Sequence, residues 1–258
     1  MTIRLAANLT MLFTELPVLD RFAAAADAGF AGVEMLFPYE DSAQELRKAT
    51  IMAGLDFVLL NCPPPNWTGG ERGFAAVPGA EARFRSDFDR ACRFADVLKA
   101  RHIHIMAGKA AGAVARQTYI DNLKWAAARA PKRSLTIEPL NGQDMPGYFL
   151  NDFDQAAMIL DTVAAPNLGL QFDAYHAQML TGDAGAVWAA HGRRAVHIQI
   201  AGVPGRGEPM PSEIDYPALF RVIAASGYDG WVSAEYTPRA TTREGLGWLK
   251  AALRDLGS

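Results

Sequence analysis

Short apolar runs of four to six residues alternate with longer amphipathic stretches along the whole chain. The short runs have the length of buried strands, and the longer ones carry apolar residues at the three- and four-residue spacing typical of helices packed on one face. Strand and helix therefore alternate throughout, which predicts a parallel sheet. The eight predicted strands cover residues 4–8, 32–35, 57–61, 102–106, 135–138, 168–173, 195–200 and 231–235.

The segments between the strands predict helices, for example over residues 16–29, 82–100 and 216–227, and several of them end in glycine, the usual left-handed stop. Eight strand–helix units in 258 residues predict one closed (β/α)8 TIM barrel, a single domain covering residues 1–258. Neither a GxGxxG nor a GxxxxGKS phosphate loop follows the first strand, which weakens the alternative of an open, doubly wound sheet.

The composition and charge of the chain limit the classes of binding partner that we expect. Half of the residues are apolar, about a fifth are charged, and the net charge of −3 is spread along the chain without a block of like charges. This excludes the basic stripe of a nucleic-acid binder and predicts small-molecule partners. No apolar run reaches the ~20 residues that span a bilayer, so we expect a soluble cytoplasmic protein without a membrane partner. Whether the chain forms a homo-oligomer is left open.

The two cysteines, Cys62 and Cys92, lack the CxxC spacing of a zinc cluster and are expected to be reduced thiols that pack as small apolar groups. The segment over residues 62–82 follows the third predicted strand and is far longer than an ordinary strand-to-helix turn. Its glycines and prolines indicate either a lid, centred on residues 67–72, or a passive surface insertion.

Polar residues stand at the ends of the predicted strands, where barrel enzymes hold their chemistry. In each of the last four strands, the last or the next-to-last residue has an oxygen-bearing side chain. Oxygen ligands suit a hard divalent cation, with Mg²⁺ favoured and Mn²⁺ as the alternative, and a cation would offset the burial of several carboxylates. The four predicted metal ligands are Glu138, Asp173, Gln199 and Glu235.

Four further residues are candidates for contact with substrate. His176 lies three residues beyond Asp173, where it faces either the metal or a substrate oxygen unless it only caps a helix. Arg206 lies on a Gly/Pro loop after the seventh strand, and its planar fork can anchor a carboxylate or hydroxyl. Lys109 follows the fourth strand and Asn61 ends the third. Structural roles are favoured for the histidines inside strands, which are His102, His104 and His197.

Several long sequence motifs, found in a fixed order along the chain, contain most of these candidate residues. The segments GVEMLFPYE, WTGGERGFAAVPG, IEPLN, QFDAYHAQ, HIQIAGVPGRGEP and GWVSAEYTPRATTREGLGW together resemble the hydroxypyruvate isomerase family of the xylose-isomerase-like barrels, and the resemblance covers almost the entire chain. It implies a metal-dependent aldose–ketose isomerase in which Glu138 and Glu235 act as acid and base besides binding the metal. It also implies that His176 and Arg206 contact substrate oxygens. Gln199 departs from the related ketohexose 3-epimerases, which typically have histidine there.

The resemblance implies conversion of a keto acid, hydroxypyruvate, to tartronate semialdehyde through an enediolate. Similar proteins isomerise 2-oxo-tetronate, and the loops opposite the metal decide between the two substrates. Apurinic endonucleases share the barrel, but they need three zinc ions, many histidines and a basic face, which five histidines and a net charge of −3 argue against. A catalytically silent sugar-binding barrel would lack the two acid/base carboxylates, and both are present.

Overall fold

A computed structural model describes residues 3–62 and 72–257. Nine parallel strands in this part of the chain form a barrel, and helices surround it. This confirms the predicted TIM barrel. The strands are β1 (Arg4–Asn8), β2 (Gly32–Glu34), β3 (Asp56–Phe57), β4 (Leu59–Asn61), β5 (His102–His104), β6 (Ser134–Ile137), β7 (Leu168–Asp173), β8 (Ala195–Ile200) and β9 (Trp231–Ala234).

The strand count corrects the sequence prediction of eight. The predicted strand over residues 57–61 is divided at Val58, because β3 pairs with β2 whereas β4 pairs with β5. Val58 joins the two neighbours: its amide donates to the carbonyl of Val33 at 2.7 Å, and its carbonyl accepts from the amide of His102 at 2.8 Å. The sheet order β3-β2-β1-β9-β8-β7-β6-β5-β4 is thereby closed into a ring, with β5 opposite β9.

Helices follow the strands as the pattern predicts, with their ends set by local chemistry. Asp152, Asp183 and Asp215 each accept a backbone N–H of the first turn of the helix that follows them, which stabilises that helix start. The helix predicted from residue 16 begins at Asp20, because Pro17 and Val18 form a turn in which Asp20 donates to the carbonyl of Pro17. The helices are α1 (Asp20–Ala28), α2 (Ala43–Met52), α3 (Glu81–Leu98), α4 (Gly112–Arg129), α5 (Phe153–Val163), α6 (Ala174–Thr181), α7 (Ala184–His191), α8 (Tyr216–Ala225), α9 (Thr242–Gly245) and α10 (Gly247–Gly257).

The barrel interior has an apolar end and a polar end. Ala6, Val58, Leu59 and Trp231 form a small separate cluster inside the strands. Gly32 makes room for it, since a Cβ there would lie 2.6 Å from the indole ring of Trp231. Towards the carboxyl ends of the strands the buried interior side chains are polar, and include Glu34, Thr136, Gln171, His197, Gln199 and Ser233. Apart from His102 at the start of β5, these buried polar side chains are concentrated towards the carboxyl end of the barrel.

The main apolar core lies between the strands and the surrounding helices, where it includes Phe22, Phe84, Phe172 and Phe220, each almost fully buried.

Among residues 3–62 and 72–257, no helix has the length and apolar character needed to cross a membrane. Cys62 and Cys92 are both free thiols, as the sequence predicts.

Candidate active site

A cavity of about 410 Å³ opens at the carboxyl ends of the strands. Five of the predicted site residues line it: Asn61, Glu138, His176, Arg206 and Glu235. A second cavity, about 940 Å³, lies outside the barrel between α7 and α8, but none of the predicted site residues lines it. The barrel mouth is therefore the candidate active site.

Three buried carboxylates converge at this cavity. Glu138 directly follows β6, Asp173 ends β7 and Glu235 directly follows β9, and each is at most 5 % exposed. Burial raises the pKa of all three, and their mutual repulsion raises the pKa of Glu138 further. The pKa of Glu235 rises to about 8 because burial and the charges of Glu34 and Asp173 outweigh the attraction of Arg206. Such a cluster is costly unless a cation compensates it.

Arg206 supplies part of that compensation. Its Nη2 lies 2.5 Å from Oε1 of Glu235 and 3.3 Å from Oδ2 of Asp173. The guanidinium also lies over the ring of Tyr175, with 5.1 Å from Cζ to the ring centroid. Burial alone would lower the pKa of Arg206, but the charges of Glu235 and Asp173 raise it above its ordinary value. One cation thus faces three carboxylates.

Two glutamine side chains connect the two glutamates across the barrel. Nε2 of Gln171 donates to Oε2 of Glu138 at 3.0 Å and to Oε1 of Gln199 at 2.7 Å. Nε2 of Gln199 in turn donates to Oε2 of Glu235. Thr136 holds the first amide by donating to Oε1 of Gln171 at 2.9 Å. We call the series Glu138–Gln171–Gln199–Glu235 the amide chain; two of its members lie on β7 and β8, and the other two directly follow β6 and β9.

A fully buried carboxylate lies behind this chain. Glu34 accepts hydrogen bonds from Asn8 at 3.0 Å, from His197 at 2.8 Å and from Gln199 at 2.8 Å. Burial alone would raise the pKa of Glu34, but the charge and hydrogen bond of His197, with hydrogen bonds from Gln199 and Ser233, lower it overall. Glu34 therefore remains ionised and fixes the orientation of the Gln199 amide.

The residues at the mouth fit a divalent cation. Ligand atoms of Glu138, Asp173 and His176 all lie within 4.8 Å of one another, and all three residues are buried. Nδ1 of His176 accepts from the backbone amide of Asn141 at 3.2 Å, which leaves Nε2 directed at Asp173, 3.6 Å from its Oδ2. Burial lowers the pKa of His176 to about 3, so the imidazole is neutral; while Nδ1 accepts, Nε2 carries the proton and faces Asp173, and ligation through Nε2 requires the other tautomer. Carboxylate oxygens suit hard divalent cations, and an imidazole nitrogen suits transition-metal ions, so the donor group fits a divalent cation without selecting one.

This donor group overlaps the predicted metal set without matching it. Glu138 and Asp173 belong to both, and His176 joins them from the start of α6. Oε1 of Gln199, the atom that would ligate, accepts from Gln171 instead. Glu235 lies at the same cavity but is bound to Arg206 and Gln199.

The remaining predicted residues divide between the cavity and the surface. Asn61 lines the cavity, and its Oδ1 lies 3.1 Å from Nδ1 of His104. His104, expected to be structural, also lines the cavity, and burial lowers its pKa to about 3. Lys109 is exposed and does not line the cavity, although its backbone bridges Tyr148. Residues 63–71 of the predicted lid lie outside the described residues, whereas Arg72 lies at the cavity.

Sequence reasoning missed Gln171, Asn141 and Asp144, and it did not include Glu34 in the site. The alternation of strand side chains could have found Gln171, because it lies two residues before Asp173 and so on the same face of β7. Asn141 and Asp144 belong to the loop after β6, where Nδ2 of Asn141 donates to Oδ2 of Asp144 at 3.0 Å. Periodicity contains no signal for such loop residues.

Comparisons with known proteins show the family and the fold of the chain. The pattern of the xylose isomerase-like TIM barrel family matches residues 22–252. The chain is 50% identical to a 2-oxo-tetronate isomerase of Cupriavidus necator over 97% of this chain and 98% of that protein. It is 41% identical to the hydroxypyruvate isomerase of Escherichia coli over 96% and 98%. A crystal structure described as an AP endonuclease, family 2, from Brucella melitensis superposes with a TM-score of 0.93 at 42% identity, covering 97% of this chain and 99% of that one.

Proposed function

Because the chain belongs to the xylose isomerase-like TIM barrel family, we propose that it is an isomerase of short 2-oxo acids that bear a hydroxyl group on C3. Hydroxypyruvate, which becomes tartronate semialdehyde, is the smallest such substrate. The single observation that supports this most strongly is the pair of buried glutamates, Glu138 and Glu235, which line one cavity three strands apart and are linked through the amide chain.

The reaction moves one hydrogen between neighbouring carbons. A glutamate carboxylate removes a proton from C3, and the C–H electron pair forms the C2–C3 double bond of an enediolate while the carbonyl electrons move to the C2 oxygen. Protonation at C2 by a glutamate, with loss of the proton of the C3 hydroxyl and return of one to the C2 oxygen, completes the aldehyde. Glu138 and Glu235 exchange the roles of base and acid with direction.

Burial and neighbouring side chains set the pKa values and the orientations of Glu138 and Glu235 for proton transfer. Burial raises the pKa values of both, and the value of about 8 for Glu235 is close to the range in which a carboxyl group can both take up and return a proton. Arg206 holds Glu235 from the loop after β8, and Gln171 holds Glu138 from β7. Each carboxyl group is thus oriented by a neighbour that does not itself react.

Glu138, Asp173 and His176 would hold a divalent cation, with Glu235 and Gln199 beside them. A bound Mg²⁺ or Mn²⁺ supplies Lewis-acid polarisation of the substrate carbonyl and compensates charge on the carboxylates. The arrangement of three buried carboxylates around one arginine supports this part of the proposal, because the remaining negative charge lacks a partner among the described residues.

The first experiment follows hydroxypyruvate and tartronate semialdehyde by NMR, using metal-stripped protein before and after addition of Mg²⁺ or Mn²⁺. We expect isomerisation only with the metal, and in D₂O we expect deuterium on the carbon that receives the proton whenever the base exchanges with solvent. Glu138→Gln and Glu235→Gln should each lose about 10³-fold or more in kcat. Glu40→Gln, at an exposed glutamate that does not line the cavity, is the matched control. Near-normal turnover in either site variant would refute the assignment.

A second candidate substrate is 2-oxo-tetronate, which has the same carboxylate, ketone and C3 hydroxyl and one additional carbon. The greater identity to the Cupriavidus necator enzyme supports it. Measuring kcat/KM for both acids with the same preparation ranks them, and a ratio of ten or more in favour of the longer acid would assign it as the principal substrate.

A further inference from the structure

We propose that Arg72 binds the carboxylate of the substrate and so makes the site selective for keto acids over uncharged keto sugars. This inference rests on the proposed function, since it names the residue that would recognise the acid group. It assigns a role to a side chain from the segment after β4, on the far side of the mouth from Glu235.

The cavity needs a cation for this purpose. Its charged lining residues are the three acids Glu138, Asp144 and Glu235 and the two arginines Arg72 and Arg206. A substrate carboxylate is repelled by each of those acids, so it must contact a guanidinium directed away from them. Planar guanidinium groups bind carboxylates through two parallel hydrogen bonds, which also fixes their orientation.

Arg206 already pairs with two carboxylates of the site. Its Nη2 contacts both Glu235 and Asp173, at 2.5 and 3.3 Å. By contrast, Arg72 is exposed, and no hydrogen bond or ion pair joins its side chain to any other part of residues 3–62 and 72–257. Within the part of the chain that the structure describes, no carboxylate pairs with the Arg72 guanidinium.

The backbone beside Arg72 is fixed at the end of β5. Gly73 bridges Ala107, and a Cβ on Gly73 would lie 2.3 Å from the carbonyl oxygen of Met106. A Cβ on Gly108 would likewise lie 2.3 Å from the carbonyl oxygen of Gly73. The amide of Ala76 donates to the carbonyl of Ala107 at 2.8 Å. Two close backbone contacts and a hydrogen bond thus hold the main chain next to Arg72 against the barrel.

The position of Arg72 would fix the orientation of the bound substrate in the cavity. The strand β5 is opposite β9 in the ring, so Arg72 and the Glu235–Arg206 pair lie on opposite sides of the mouth. A 2-oxo-3-hydroxy acid has its carboxylate at one end and its reacting C3 hydroxyl at the other side of the ketone. With the carboxylate at Arg72, the ketone and hydroxyl extend towards Glu138, Asp173 and Glu235, where the proton transfers take place. The same head group is present in hydroxypyruvate and 2-oxo-tetronate.

The test compares Arg72→Met, which keeps side-chain length without charge, with Arg72→Lys, which keeps the charge. Arg116→Met, at an exposed arginine on α4 that does not line the cavity, controls for the change in net charge. Steady-state kinetics are measured with hydroxypyruvate in metal-loaded protein, and dihydroxyacetone, in which an alcohol replaces the carboxylate, is measured as a competing ligand. Calorimetry with pyruvate, which has the carboxylate and ketone but no C3 hydroxyl, measures binding without turnover.

For Arg72→Met we expect KM for hydroxypyruvate and Kd for pyruvate to rise about 10- to 100-fold, with kcat within threefold and the inhibition constant of dihydroxyacetone within twofold. Arg72→Lys should recover part of the loss, and Arg116→Met should resemble the parent protein. Parent-like KM and Kd in Arg72→Met would overturn the role of Arg72 and leave the isomerase proposal intact. Absence of both turnover and pyruvate binding in the parent protein would overturn the two proposals together.

Discussion

Replacing Glu235 by glutamine is expected to make the metal-free protein more stable at pH 8 while leaving it nearly unchanged at pH 5. The pKa of Glu235 is about 8 in the folded protein and about 4.5 when unperturbed. A folded-state pKa above the unfolded value means that the folded state holds the proton more tightly. The protonated Glu235 therefore adds to the free energy of unfolding. This contribution is fully present below about pH 4.5 and is lost as the pH rises through about 8.

The size of the effect follows from that difference. At about 1.36 kcal/mol per pKa unit, Glu235 accounts for a loss of at most about 5 kcal/mol between the two limits. Glutamine has the shape of the protonated acid and cannot ionise, so the variant lacks this loss. The buried histidines, whose lowered pKa values change stability in the opposite sense at acid pH, are present in both proteins and cancel in the comparison.

The assay is urea denaturation in EDTA at pH 5, 6.5 and 8 for the parent protein, Glu235→Gln and the surface control Glu40→Gln. The free-energy difference between Glu235→Gln and the parent should grow with pH, and Mg²⁺ should reduce or reverse it, because the ion stabilises the ionised parent site. A difference that is constant from pH 5 to pH 8, or that favours the parent at pH 8 in EDTA, would refute the pKa argument.

Three further outcomes are expected. Gln171→Leu should lower the free energy of unfolding by about 2 to 4 kcal/mol, because Glu138, Gln199 and Thr136 lose hydrogen-bond partners, and it should reduce kcat more than the exposed control Gln117→Leu. Gly32→Ala should cost about 1 to 3 kcal/mol by urea denaturation, since its Cβ would lie 2.6 Å from Trp231, whereas Gly247→Ala, with no atom within 4 Å, should be neutral or stabilising. A duplex with an abasic site should remain intact with Mg²⁺, Mn²⁺ or Zn²⁺ present; nicking lost in Glu138→Gln would instead support a nuclease.

The fold could be predicted because its signal is local and repeated. Alternating short strands and amphipathic helices identified the barrel, and β1, β7 and β8 have the predicted bounds. The division at Val58 could not be predicted, because it depends on which neighbour each residue pairs with across the closing barrel. Strand composition is the same whether a segment pairs to its left or to its right.

The site was predictable only in part, for a related reason. Glu138, Asp173 and Glu235 were identified because a carboxylate at the end of an apolar strand is conspicuous. His176 was identified as a neighbour of the metal, but its membership of the donor group depends on how Asn141 orients the imidazole. Arg72 was not singled out, since its position at the cavity depends on the contact of Gly73 with the end of β5. Contacts between distant loops have no periodic signature.

The amide chain has a mechanical consequence. Its members lie on β7 and β8 and directly after β6 and β9, so a continuous series of hydrogen bonds joins four neighbouring strands of the barrel. Through these hydrogen bonds, a shift of one strand is passed to its neighbours around the barrel. Movement of one of these strands, caused for example by repacking α5 against β7 on the outside, would reach both glutamates through these hydrogen bonds and change their separation. The distance between the two glutamates is therefore a property of the barrel's curvature, and substitutions far from the mouth can alter it.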